Sequence, residues 1–348
     1  QRDVRRLGAA AAGGAVVSAP ALVRTPVRQN TDEWLAMRRT GVTASELPVI
    51  TGNRPGLVEL WAYKAGLIER EDPDPATQEL FDIGHALEPV IADLYTGKTG
   101  RRVKRVTQML RHPRHDWLFA SLDRVSAEAG ERIIVELKWA PHRRWDAGDE
   151  TVPADVQDQV QAQMLVSGYP MAHVAVLMGG RLDWHEVPAD PEYQAALLTL
   201  AERFRADVLS GTRPKVDGSE STRRTLARLH PSDTLDMLDP NPTLDALAAD
   251  LRAAKAAARA ATEEQDRLEN VLRATLGDHE GVESDWYRMT WTQNKPGSRT
   301  DWKKVADAAS AQWDDETWQA LLRSHTTTTD GARVLRTRFL DEGTNKWL

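Results

Sequence analysis

The sequence predicts an α/β domain followed by a mainly helical C-terminal region. Three observations carry this. Between residues 103 and 187, short apolar stretches recur between turn signals, and several alternate with a period of two, as strands require. Around them lie longer stretches, over 77–95, 155–167 and 191–209, of helical character. The composition then changes: residues 211–243 are polar and Pro-rich, and residues 244–276 are rich in Ala with spaced Leu.

Each element follows from local chemistry. Thr31 or Asp32 caps a helix carrying Trp34, Leu35, Met37 and Arg38, and Gly41 ends it. A second short helix starts at Thr43 or Ser45, and the Pro55-Gly56 turn leads into a helix over 57–64 closed by Gly66. Residues 69–75 form a charged loop. The helix over 77–95 sets Leu80, Ile83, Gly84, Leu87, Ile91 and Leu94 near one face, with Glu88 on or beside it. Strands are expected over 103–110, 117–125 and 132–138, the last two joined by a turn at 129–131. A helix from Pro153 or Asp155 to Ser167 follows, then strands over 172–178 and 182–187 joined at Gly179-Gly180, then a helix over 191–209.

The resulting boundaries are an α/β domain over 31–213, a linker or loosely packed segment over 214–243, and a mainly helical region over 244–348. Within the last, 244–276 reads as one long helix or a broken helical hairpin, and 286–304 as a small hairpin followed by a helix. Residues 1–30 read as a flexible leader. Arg5-Arg6 and the Ala/Gly run behind it superficially look like an export signal, but the run contains Pro20 and falls short of the roughly 20 apolar residues of a membrane span. No other stretch reads as membrane-spanning, which predicts a soluble protein.

The chain has 348 residues, 45 basic against 52 acidic, and a net charge of -7. It contains no Cys, which excludes disulfides, thiolate zinc sites, iron–sulfur clusters and a Cys nucleophile. The acidic total does not exclude nucleic acid, because net charge says little about a single groove.

The chemistry concentrates at Asp123 and, after twelve intervening residues, Glu136-Leu137-Lys138. Asp123 lies near the end of one strand of a hairpin. Glu136 and Lys138 lie on the next strand, on the same face by the period of two. Two carboxylates brought to one point repel unless a cation joins them, and an all-oxygen donor set suits Mg²⁺, with Mn²⁺ as a substitute. A neighbouring Lys orients a water or meets developing phosphate charge. This is equipment for phosphodiester hydrolysis. The competing reading is a half-exposed hairpin with a cross-strand ion pair. Arg101, Arg102, Lys104 and Arg105 before the hairpin, and Arg143 and Arg144 after it, would line a phosphate groove. His85, His112 and His115 are left unassigned, and Trp34 and Trp61 are expected in the core.

Five ordered blocks over residues 32–187 resemble the phage-type exonuclease and YqaJ-like viral recombinase family, which includes the lambda-type alkaline exonuclease, within the PD-(D/E)xK nuclease superfamily. They are Trp34 to Glu46 with its Thr43-Ala44-Ser45-Glu46 run, Gly84 to Pro89 containing Glu88, Ala120-Ser121-Leu122-Asp123, Glu136-Leu137-Lys138, and a Gln-rich helix with Gln157, Gln161 and Gln163. Leu122 departs from the family's usual Ser-Pro-Asp. The resemblance implies a restriction-endonuclease-like core, a central mixed sheet flanked by helices. It implies that Glu88, Asp123 and Glu136 bind one or two Mg²⁺ ions, that Lys138 positions or activates water, and that Gln161 supports the metal site. Arg38 and Ser45 would engage a terminal 5′ phosphate, and Gln157 would join the substrate surface. It further implies 5′ to 3′ digestion of double-stranded DNA ends, with 5′-phosphate products and 3′ overhangs. The implied partners are a single-strand-annealing recombinase and other copies of the chain, as a trimer, in the cytoplasm of a bacterial host of phage or prophage. A Cas4- or RecB-like nuclease, a structure-selective endonuclease and an inactive DNA-binding protein stay open as alternatives.

Overall fold

The computed structural model describes residues 23–128, 130–140, 152–233, 236–293, 301–311 and 313–326. The chain divides into one unit that ends at His230 and a second that starts at Pro231.

The first unit opens with β1 (Val23–Arg28), α1 (Asp32–Thr40), β2 (Val42–Thr43), a 3-10 turn (Ala44–Glu46), α2 (Leu47–Ile50), α3 (Leu57–Lys64) and α4 (Pro75–Thr99). The strands β3 (Lys104–Arg105), β4 (Gln108–Arg111), β5 (Leu118–Ala120), β6 (Arg124–Glu128) and β7 (Glu131–Ala140) follow. Then come α5 (Ala154–Ser167), β8 (Met171–Met178), β9 (Arg181–Pro188), α6 (Pro191–Ser210) and α7 (Glu220–Leu229). Thr31 caps α1 as expected, accepting the Trp34 amide. Thr43 and Glu46 form a reciprocal capping box around the 3-10 turn.

The main sheet is mixed, in the order β3-β6-β7-β8-β9, with β7 and β8 parallel and the other pairs antiparallel. Helix α5 is the connection that parallel neighbours need. Alternation along β7 feeds two cores. Ile133, Val135 and Leu137 meet Ile91 and Tyr95 of α4, while Ile134 joins Val160, Met164 and Val174 on the other side. The even positions of β7 therefore share the α5 side, Glu136 and Lys138 among them.

A smaller sheet, β1-β4-β5-β2, sits in the same unit. It explains three departures from expectation. Residues 23–28 belong to the fold rather than to a leader, because β1 pairs with β4 and Thr25 donates to the Met109 carbonyl at 2.9 Å. The strand expected over 103–110 is two strands, one in each sheet. So is the one expected over 117–125, which breaks at residues 121–123 where the chain passes between sheets. Leu122, at that break, is fully buried. The unit also runs past 213, because α7 packs on α3. The apolar stripe expected on α4 is only partly used. Ile91 is buried and Leu87 packs beside it, whereas Leu80 and Ile83 stay exposed.

In the second unit, α8 (Pro242–Leu276) is a single 35-residue helix, not a broken hairpin. A two-stranded hairpin of β10 (Gly281–Glu283) and β11 (Arg288–Thr290) follows, then α9 (Trp302–Ser310) and α10 (Asp315–His325). Among the described residues, no helix is long and apolar enough to cross a membrane.

Gly41 marks where the two blocks of the small sheet meet. Its neighbour Val42 donates to the Trp117 carbonyl at 2.8 Å, and a Cβ at position 41 would lie 2.0 Å from that oxygen. The approach therefore requires glycine. Gly41→Ala should destabilise the first unit by about 1–3 kcal/mol, the range for overpacking, read as a lower urea midpoint with an unchanged slope.

Candidate active site

Glu136 is the centre of the site. It sits on the α5 side of β7 and is only 3% exposed. A carboxylate so buried needs donors, and three side chains supply them. Lys138 Nζ donates to Glu136 Oε1 at 2.7 Å, Gln159 Nε2 donates to the same oxygen at 2.7 Å, and Gln163 Nε2 donates to Oε2 at 2.8 Å. Gln159 and Gln163 are one helical turn apart, so they share the face of α5 that meets β7. Gln159 also accepts from Lys138 through Oε1 at 3.0 Å. The buried Oε1 of Gln163 has no hydrogen-bond partner.

Asp123 reaches the site from the break between β5 and β6. Its Oδ2 accepts the Leu137 amide at 2.9 Å, which locks it beside the Glu-Leu-Lys strand. Burial, then the Glu136 carboxylate, push the Asp123 carboxyl up to about 8, against the opposing pull of Lys138. Glu88, from α4, adds to the same upward push. It pairs at 3.7 Å with Arg124, a buried residue that also donates to the Asp123 carbonyl at 2.9 Å. Arg124 thus ties α4 to the Asp123 turn.

Arg38 and Ser45 form the adjoining corner. The Arg38 guanidinium lies over the Trp34 ring, 4.5 Å from its centroid, and donates to Ser45 Oγ at 3.3 Å. Trp34 is itself held by its indole N–H on Ser121 Oγ at 3.1 Å. Behind them Lys64 is buried. Its ammonium donates to the carbonyls of Arg38 and Gly41 (the latter at 2.7 Å) and pairs with Glu46 at 2.9 Å. A cavity of ≈ 250 Å³ joins this corner to the carboxylates, with Arg38, Ser45, Glu88, Asp123 and Gln159 on its wall.

The structure thus brings together Arg38, Ser45, Glu88, Asp123, Glu136 and Lys138. Gln161 is not among them. It faces away, donating to the Pro188 carbonyl at 2.8 Å and accepting from the Asp190 amide and Gln194, so it fastens the β9–α6 corner. Gln159 and Gln163 hold the place expected for it, because two residues turn a helix by about 200°. Gln157 is half-buried and does not line the cavity. Arg101 lines a different cavity, with His173 and Glu186, whereas Arg105 lines this one. Arg102 lines neither. Arg143 and Arg144 lie outside the described residues. Trp61 is core, as expected, but Trp34 is a wall of the site, and His85 lines it too. The signal for Gln159 was its i, i+4 spacing to Gln163. Arg124 gave no signal beyond its place next to Asp123.

Among the described residues, no group of three or more His, Asp or Glu side chains is arranged to hold a metal ion. The donor chemistry nevertheless fits a hard cation. Asp123 and Glu136 offer oxygens only, and their mutual repulsion, seen in the raised Asp123 carboxyl, is what a divalent ion relieves.

A mixed sheet flanked by helices, with Asp at a strand break and Glu-x-Lys on the next strand, is the arrangement expected from the sequence. Residues 33–170 match the family model of the YqaJ-like viral recombinase domain. The chain is 32% identical over 206 residues to the uncharacterized protein YqaJ of Bacillus subtilis (strain 168), covering 57% of this chain and 62% of that one. It therefore spans less than two thirds of that relative's length. Among solved structures it is similar to the alkaline exonuclease LHK-Exo from Laribacter hongkongensis, at 20% identity over 57% of this chain and 100% of that chain, with a TM-score of 0.44. It is also similar to a phage related exonuclease from Haemophilus somnus 129PT, at 14% identity over 49% and 96% of the two chains, with a TM-score of 0.36.

The raised Asp123 carboxyl gives a stability prediction. The folded state keeps a proton that the unfolded chain releases near the ordinary carboxylate value, so stability falls as pH rises through the interval from about 4 to about 8. Asp123→Asn should flatten the dependence of melting temperature on pH over that interval, and the variant should melt above the wild type at pH 8.

Proposed function

We propose that residues 23–230 form a metal-dependent DNA exonuclease domain. The observation that carries this is the single cavity that places Asp123 and Glu88 next to the Arg38–Ser45 corner, with Glu136 and Lys138 bonded into the same network. Asp123 and Glu136, with Glu88, would hold one or two Mg²⁺ ions, for which Mn²⁺ substitutes. A bound divalent ion supplies charge stabilisation at the scissile phosphate and lowers the cost of deprotonating water.

The protein groups supply the rest. Lys138, pinned between Glu136 and Gln159, presents a fixed positive charge that orients the attacking water and meets charge on the phosphate. Gln159 and Gln163 keep the Glu136 carboxylate oriented. Attack at phosphorus expels the 3′ oxygen, so the product retains a 5′ phosphate. Arg38, stacked on Trp34 and steered by Ser45, suits a terminal 5′ phosphate, because a guanidinium fork and a hydroxyl match its oxygens. Reading a terminus there favours double-stranded DNA ends and 5′ to 3′ digestion that leaves a 3′ overhang. That product is what a single-strand-annealing recombinase takes up.

Linear 5′-phosphorylated duplex incubated with Mg²⁺ should be degraded, and Asp123→Ala or Lys138→Ala should lower the rate at least about a hundredfold. No degradation by the wild type with Mg²⁺ or Mn²⁺ would overturn the reading, and cleavage of covalently closed circles would make it an endonuclease. Arg38→Ala should abolish the preference for 5′-phosphate over 5′-hydroxyl ends while leaving some hydrolysis. Independently of activity, Mg²⁺ or Mn²⁺ should raise the melting temperature of the wild type and leave that of Asp123→Asn nearly unmoved.

A further inference from the structure

Helix α8 buries none of its 35 residues. Its larger apolar residues are nonetheless ordered. Leu244, Leu247, Leu251, Leu268 and Leu272 follow one another along a single seam, in alternating steps of three and four once the interior positions Ala254, Ala258, Ala261 and Gln265 are included. That is a heptad pattern over four repeats, the signature of a helix that pairs with another. The five leucines are all exposed, Leu247 to 60%. A helix about 50 Å long that leaves such a seam in water is incomplete.

We infer that α8 pairs with α8 of a second copy of this chain, as an antiparallel coiled coil. The seam is close to self-complementary about its midpoint, between Arg259 and Ala260. Antiparallel pairing there sets Leu247 against Leu272 of the second copy, Leu251 against Leu268, and Ala258 against Ala261. Large thus meets large at both ends, and the small residues in the middle let the backbones approach.

Charge selects the direction. The first half of α8 carries Arg252, Lys255 and Arg259 against Asp245 and Asp250. The second half carries Glu263, Glu264, Asp266 and Glu269 against Arg267 and Arg273. Antiparallel pairing lays the net positive half on the net negative half and opposes the two helix dipoles. It brings Lys255 to the flank occupied by Glu269 of the second copy, within reach because helical side chains lean toward their own N-terminus. Parallel pairing in register also offers an attractive contact, Asp250 with Lys255, but it sets Glu264 against Glu269 at the matching flank. Gln265 at a core position lies opposite Ala254, a polar mark that penalises slipped registers.

Because the chain has no Cys, introduced thiols report the pairing without background. Full-length Leu247→Cys and Leu272→Cys proteins, mixed and oxidised, should give a covalent dimer of the two. Neither should cross-link efficiently alone. Efficient self-cross-linking of Leu247→Cys would overturn the antiparallel direction, and a wild type that sediments as a monomer without any cross-link would overturn the pairing. Glu269→Lys should weaken self-association about tenfold, by replacing two attractive contacts with repulsive ones, and the double variant Lys255→Glu with Glu269→Lys should restore it. Loss without restoration would count against the proposal.

Discussion

The buried Glu136 carboxylate is the constraint on which the rest of the first unit depends. A negative charge at this depth is costly unless donors surround it, and three side chains from two elements supply them: Lys138 on the same strand, and Gln159 and Gln163 on the helix that crosses over to β8. These bonds fix the rotation of α5 against the sheet. They also hold Lys138 in place, while the Leu137 amide holds Asp123 beside the same strand. The Asp123 carboxyl then absorbs the resulting electrostatic strain, which is why it is raised while it sits against the Leu137 amide. Three side-chain donors on Glu136 and one backbone amide on Asp123 hold the two carboxyl groups in fixed places.

A second network makes the neighbouring corner rigid. Lys64 is buried at the end of α3, where desolvation pulls its ammonium below the ordinary lysine value against the opposing pull of Glu46. It stays bound to the Arg38 and Gly41 carbonyls and to Glu46. Glu46 in turn accepts the Thr43 amide at 2.9 Å and stands 3.6 Å from the Arg38 guanidinium. The segment from Trp34 to Glu46 is therefore one mechanical piece. Its hydroxyl and guanidinium cannot move independently of the small sheet, whose strand β5 leads directly into Asp123. This joins the Arg38–Ser45 corner to the carboxylates through the backbone as well as through the cavity that it shares with Asp123 and Glu88.

The second unit follows a different logic. Helix α8 is stabilised locally, by the Asn241 cap and by ion pairs such as Arg259–Glu263 and Arg273–Glu269 along its length. Local terms suffice to form a helix of this length, but they leave its leucine seam uncovered. The first unit is complete in its own core, whereas the second carries a surface whose order makes sense only in contact with another helix.

Much was legible in the sequence because much of it is local. Apolar strand patterning and turn residues marked β7, β8 and β9, start and stop residues marked α5 and α6, spaced leucines marked α8, and a capping residue marked α1. The motif residues Arg38, Ser45, Glu88, Asp123, Glu136 and Lys138 were found through their order along the chain. What stayed hidden depends on relations between distant segments. Helix α5 is buried nearly all round, so no polar face in its sequence shows which glutamines meet Glu136, and only its packing against β7 decides for Gln159 and Gln163 over Gln161. The division of two expected strands between two sheets, the use of Trp34 as a platform for Arg38, and the choice of Arg105 over Arg101 at the cavity are of the same kind. The sequence by itself determined which acidic, basic and amide side chains are available and at what spacing, since residue type and order are written there. The tertiary structure decided which of them face one another, because the phase of a helix and the crossing of a strand are set by packing between segments far apart in the chain.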